Sequence, residues 1–110
     1  MRVPTELWVK ALLRRCNSSG ATALVARPGE PDGGVVFIKV RLLDGTAKLF
    51  GPAMAGLARS DGLPRLEPLM AAQGAPEADV DAYLQRQMSF DPDLWVVEID
   101  DRLGRSFQAD

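Results

Sequence analysis

Residues 35–50 read Val35-Val36-Phe37-Ile38-Lys39-Val40-Arg41-Leu42-Leu43-Asp44-Gly45-Thr46-Ala47-Lys48-Leu49-Phe50. Two β-prone runs flank Asp44-Gly45, a dipeptide that suits a type I′ hairpin turn. A two-residue turn sets Leu42 opposite Ala47, Arg41 opposite Lys48 and Val40 opposite Leu49. Alternation then sorts the side chains. One face holds Val36, Ile38, Val40, Leu42, Ala47 and Leu49. The other holds Phe37, Lys39, Arg41, Lys48 and Phe50.

Upstream, residues 5–16 (TELWVKALLRRC) predict a helix capped by Thr5, with Glu6 at its positive end. Gly20 supplies the stop. Leu7, Trp8, Val9, Ala11, Leu12, Leu13 and Cys16 occupy most of its circumference, far more than the apolar stripe a surface helix needs. Such a girdle is either enclosed by its own domain or shared with a second subunit. Arg15 falls inside the apolar sector, where it must snorkel, pair with a carboxylate or hold an anion. Residues 21–27 read as a strand. The Gly-rich loop 28–34 has no Lys-Ser/Thr after it and leads to a strand, so it is not a phosphate loop.

Downstream, residues 53–75 read as a long variable loop, with a helical turn near 54–59. Residues 76–89 predict a second helix, with Pro76 at its first position and Val80, Tyr83, Leu84 and Met88 on one stripe. Asp91-Pro92-Asp93 ends it. Residues 95–100 read as a strand, and 105–109 as a short last one. Hairpins dominate and no repeated βαβ unit is visible. The expected fold is a single α+β domain spanning residues 1–110. Its sheet is antiparallel, with four to five strands and two helices on one face.

Composition narrows the chemistry. The 110 residues are 46% hydrophobic and 25% charged, with a net charge of −2. That is ordinary globular usage, and the net charge disfavours a generic phosphate-backbone binder. Residues 1–50 hold eight Lys/Arg against four Asp/Glu, and residues 51–110 hold five against eleven. With no histidine, Ser-His-Asp and Cys-His catalysis and imidazole metal ligation are excluded. The single Cys16 can form neither an internal disulfide nor a zinc cluster. No membrane span or signal peptide is expected, because Glu6 and Lys10 break the N-terminal apolar stretch. A cytoplasmic protein without metal or cofactor is the expectation.

Two constellations invite a functional reading. The face carrying Phe37, Lys39, Arg41, Lys48 and Phe50 interleaves aromatics with cations, as surfaces that stack bases and hold phosphates do. Arg41 opposite Lys48 is a like-charge pair, however, and needs anions nearby. Glu98 and Asp100 supply them if the strand 95–100 joins this sheet, and that internal neutralisation is the preferred reading. The second constellation is the acidic run around Trp95. Asp91 and Asp93 flank a helix-stopping proline, and Glu98 and Asp100 are outward strand positions. A small enzyme would use Asp91, Asp93 or Asp100 with Arg15, but the run lacks Ca²⁺-loop spacing.

Three stretches, LWVKALLRRC, GGVVFIKVRLLDGTAKLFGP and SFDPDLWVVEIDDRLGRSF, together resemble the domain of unknown function 1491 family, short bacterial proteins found mainly in Alphaproteobacteria. The resemblance runs from Val3 to Phe107 and is weakest over residues 53–75. It implies a small stand-alone cytosolic protein and carries no ligand or catalytic residue. The expected function is therefore a non-catalytic binding or accessory module, a homodimer through the first helix or the companion of another protein. The alternatives are nucleic-acid or other anion binding by the basic-aromatic face, and an acidic-cluster enzyme.

Overall fold

The hairpin forms, with its register displaced by one residue. In the computed structural model, which describes residues 3–52 and 66–108, strands β2 (Val36–Arg41) and β3 (Thr46–Pro52) pair Arg41 with Ala47, Val40 with Lys48, Lys39 with Leu49 and Ile38 with Phe50. The loop has three residues, closed by Leu42 N–H donating to Thr46 O at 2.9 Å. Of its residues only Gly45 has a positive φ, +84°. A type I′ turn would need one at Asp44 as well. Asp44 instead turns its carboxylate onto Thr46, accepting from its N–H at 3.0 Å and its hydroxyl at 2.6 Å. A shift of one residue turns every β3 side chain over. Ala47 and Leu49 therefore join Phe37 and Lys39, while Lys48 and Phe50 join Ile38 and Val40. The single basic-aromatic face expected from the sequence is split between the two sides of the sheet.

The elements follow in the order α1 (Thr5–Ser18), β1 (Thr22–Arg27), β2, β3, β4 (Leu66–Leu69), β5 (Ala75–Pro76), α2 (Glu77–Phe90) and β6 (Trp95–Asp100). The sheet order is β1-β6-β2-β3-β4, with β5 also pairing β3. β6 runs parallel to β2 and antiparallel to β1, so the sheet is mixed rather than antiparallel. The second half of the 53–75 segment contributes β4, and β5 begins at its end. The helical turn expected at 54–59 lies outside the described residues. Residues 105–108 form no strand.

The two helices cover opposite faces, not one. On one side Trp8, Val9, Leu12 and Cys16 of α1 pack on Val36, Ile38, Val40, Val97 and Ile99. On the other, Val80 and Leu84 of α2 pack on Phe37, Ala47, Leu49 and Val96. The cause lies in the two central strands. β2 and β6 are largely buried on both faces, as parallel neighbours are, so each face requires a cover. The α1 girdle is met largely from within the chain, with Leu13 and Phe107 joining its cluster.

The stretch around Asp91-Pro92-Asp93 fastens the 28–34 loop. Asp91 Oδ1 accepts from Asp93 N–H at 2.9 Å, an Asx turn. Asp93 O then accepts from Glu30 N–H at 2.9 Å, and the Trp95 indole N–H donates to Glu30 O at 2.8 Å. A Cβ on Gly29 or Gly34 would lie 2.3 or 2.4 Å from Asp93 O, so both positions require glycine for the close approach. The same loop serves α1. Pro4, not Thr5, is the N-cap residue, and Glu6 N–H donates to Pro31 O at 2.8 Å.

Candidate binding surfaces

The charged residues of the central strands converge under α2. Lys39 is the fourth residue of a five-residue buried run in β2, so its ammonium is carried beneath the helix. Its Nζ lies 2.7 Å from both Glu77 and Asp81 and 3.9 Å from Glu98. Arg41 reaches Glu77 at 3.0 Å, Asp100 at 3.4 Å and Glu98 at 3.6 Å. Two cations thus meet four carboxylates drawn from α2 and β6. Burial pulls the Lys39 pKa down, but hydrogen bonds to Asp81 and Glu77 and the nearby charges hold it above the ordinary lysine value. The hydrogen bond from Lys39 holds the Glu77 carboxyl below its usual range. A lysine so held is a poor nucleophile and a poor base.

The remaining predicted residues are dispersed. Phe37 is buried, edge-on to Tyr83 with ring centroids 6.3 Å apart. Lys48, on the α1 side, donates to Gly104 O at 3.3 Å, and Phe50 packs against the α1-side core. Arg15 donates from Nε to Phe107 O at 3.1 Å near the C-terminal end of α1. Asp91 and Asp93 lie at the start of β6, beside the loop that meets the other end of α1, so Arg15 and these carboxylates do not converge. Trp95 is a buried anchor. Burial raises the Cys16 pKa, only partly offset by Arg15, so the thiol is not activated. Among the described residues no group of three or more His, Cys, Asp or Glu could hold a metal ion. No helix there is long and apolar enough to cross a membrane.

Two concavities among the described residues border the central strands. One, of about 260 Å³, runs beside α2 over β6, between Asp81, Gln85 and Met88 on the helix and Ala26 and Arg27 on β1. α2 packs on β2, β3, β5 and Val96 of β6, and leaves the β1 edge of this face bare, with Leu24 51% exposed. The other, of about 660 Å³, opens beyond the ends of β2 and β6, lined by Arg41, Leu43, Asp100, Arg102, Leu103 and Arg105 among others. There Asp101 accepts from Arg105 Nε and Nη2, both at 3.0 Å, and from its backbone N–H at 2.8 Å. The Arg105 hydrogen bond lowers the Asp101 pKa, and the pairing raises that of Arg105.

The family model described as "Protein of unknown function (DUF1491)" matches residues 3–109. The chain belongs to the DUF1491 family. It is similar to a DUF1491 protein from Caulobacter crescentus CB15 whose crystal structure superposes with a TM-score of 0.80, at 43% identity, covering 98% of this chain and 96% of that one. An NMR structure of a DUF1491 protein from the same organism gives a TM-score of 0.79, at 41% identity, covering 100% and 96%. The solution structure of protein Atu0922 from A. tumefaciens gives 0.76, at 36% identity, covering 92% and 87%. No curated protein matches.

For this DUF1491 domain, Glu98 and Asp100 were visible in the sequence as partners for the strand cations, and Glu77 and Asp81 were not. Their signal is the i,i+4 spacing that puts both carboxylates on one face of α2. Of the crevice residues, Arg102 carried only the pattern of a turn and Arg105 only that of the short last strand.

Proposed function

We propose that this DUF1491 domain is a non-catalytic binding module that takes a cationic segment of a partner protein on the bare β1 edge of the α2-side sheet face. The arrangement of charge supports this reading. The Lys39 ammonium is 6% exposed, whereas Asp81 and Asp100 are 53% and 52% exposed. Lys39 lies inside, Asp81 and Asp100 reach the surface beside the 44%-exposed Arg41, and Leu24 offers an apolar contact near them. A catalytic reading lacks an activated base or nucleophile among the described residues. A nucleic-acid reading loses its basic surface, because Lys39 is covered and Lys48 lies on the other side.

Pairing of two copies through α1 is the second reading. Leu7, 55% exposed, favours it. The rest of the girdle faces inward or is half-buried, which leaves little area for a stable dimer.

Titration calorimetry with a synthetic Lys/Leu amphipathic peptide, and with a Glu/Leu peptide of the same pattern, tests the first reading. Saturable binding of the cationic peptide alone is expected, weakened about tenfold by Leu24→Arg and by added salt. Equal binding of both peptides, or no effect of Leu24→Arg, would overturn it. A mass near twice 11.9 kDa in light scattering, reduced by Leu7→Lys, would favour the dimer instead.

A further inference from the structure

The geometry points to a second site, at the end of the sheet and bordered by Arg41 and Asp100 of the ion cluster: the crevice beyond β2 and β6 binds a small amphiphile with one anionic head, a carboxylate or phosphate monoester, on a short apolar tail. Its position is the first observation. β2 and β6 are the parallel pair of this sheet, and they end together at Arg41 and Asp100. Space outside the carboxyl ends of parallel strands is where open sheets hold ligands, because no strand continues to fill it. The volume, about 660 Å³, falls in the range of roughly 300–1,000 Å³ typical of small-molecule sites.

Charge sets the head group. Three arginines line the crevice against two aspartates. Asp101 is spent inward, with both oxygens on Arg105, and Asp100 faces Arg41 at 3.4 Å. Arg102 has no partner among the described residues, so its guanidinium is left to bind an anion, which it can grip with two N–H groups. Arg41 and Arg105 lie in the same wall, and both are held in place by their own pairs. Of the three, only Arg102 carries charge that no carboxylate among the described residues meets.

The apolar requirement comes from Leu43 and Leu103, 88% and 66% exposed. They stand in two separate turns, the β2–β3 loop and the 101–104 turn, and line the same crevice as Arg102. Two such leucines, lining the same crevice as a free guanidinium, match a ligand with an apolar body behind its charge. A bare inorganic anion would leave them unused.

Amide NMR shifts followed during titration with octyl phosphate, inorganic phosphate and octanol test the assignment. Octyl phosphate is expected to move Leu43, Arg102, Leu103 and Gly104 saturably, and at least tenfold more tightly than either fragment. Arg102→Gln should weaken it about tenfold, and Leu103→Ser several-fold. Both residues are exposed, so an unchanged melting temperature will show that the variants fold. Co-sedimentation with phosphatidic acid/phosphatidylcholine vesicles, lost in Arg102→Gln, would mark a lipid as the source of the head group. Its absence alongside octyl phosphate binding would mark a free metabolite. Inorganic phosphate binding as tightly as octyl phosphate, or shifts unaffected by Arg102→Gln, would overturn the proposal.

Discussion

Lys39 is the residue on which the face under α2 depends. Its ammonium is buried and has two carboxylates at 2.7 Å. Breaking a fully buried pair costs about 3–5 kcal/mol, but here the carboxylates left behind reach water, so Lys39→Met should cost about 2 kcal/mol in urea unfolding. The titrating groups give this loss a pH signature. The folded pKa values of Glu77 and Asp101 are lowered. Their contribution is therefore complete above the unfolded carboxylate value, about 4, and is lost as pH falls through the folded values. The Lys39 pKa is raised, so its contribution holds below about 10.4 and is lost as pH rises through the folded value. Stability measured against pH should fall below about pH 4.5, and Glu77→Gln should flatten that fall. That the strand cations needed anions was legible in the sequence. That α2 would supply two of them was not, because alternation alone does not say which side of a strand a distant helix will cover.

At the scale of elements, the hairpin loop and the guarded edges carry the fold's specificity. Asp44-Gly45 suits both a two-residue turn and the three-residue loop observed, so the sequence locates the turn but leaves the register open by one position. The side chain of Asp44, bonded to Thr46, selects the longer loop. Gly45→Ala should cost about 1 kcal/mol, since its φ of +84° is left-handed and nothing crowds its Cα. The docking of the 28–34 loop is less tolerant. Gly29→Ala must move the Asp93 backbone and should cost roughly 1–3 kcal/mol, with quenching or shift of Trp95 fluorescence as a local readout. The edge strand β1 is partly closed by Asn17, whose Oδ1 accepts from Ala23 N–H at 3.2 Å, and by an irregularity between Val25 and Arg27. Pro68 does the same for β4. Asn17→Ala should cost about 1 kcal/mol and raise the aggregation rate on heating.

For the whole molecule, two central strands with apolar residues on both faces of their first halves dictate a helix on each side of the sheet. The near-continuous runs Val35–Ile38 and Leu94–Val97 carry that signal in the sequence, and the short alternating stretches beside them obscure it. Because α1 and α2 bury separate clusters, Leu12→Ala and Leu84→Ala remove packing on opposite faces. Each should cost about 2–5 kcal/mol, and together they should add. α2 covers only part of its face, and the carboxylates of the ion cluster border the part left open. The most direct test of that arrangement is an amide NMR map of the wild-type protein titrated separately with the Lys/Leu peptide and with a single-stranded oligonucleotide at low salt. The peptide should move Leu24, Ala26, Gln85 and Glu98, and the oligonucleotide should leave Lys39 and Arg41 where they are. Oligonucleotide-induced shifts at Lys39 and Arg41, with β1 unmoved by the peptide, would contradict it.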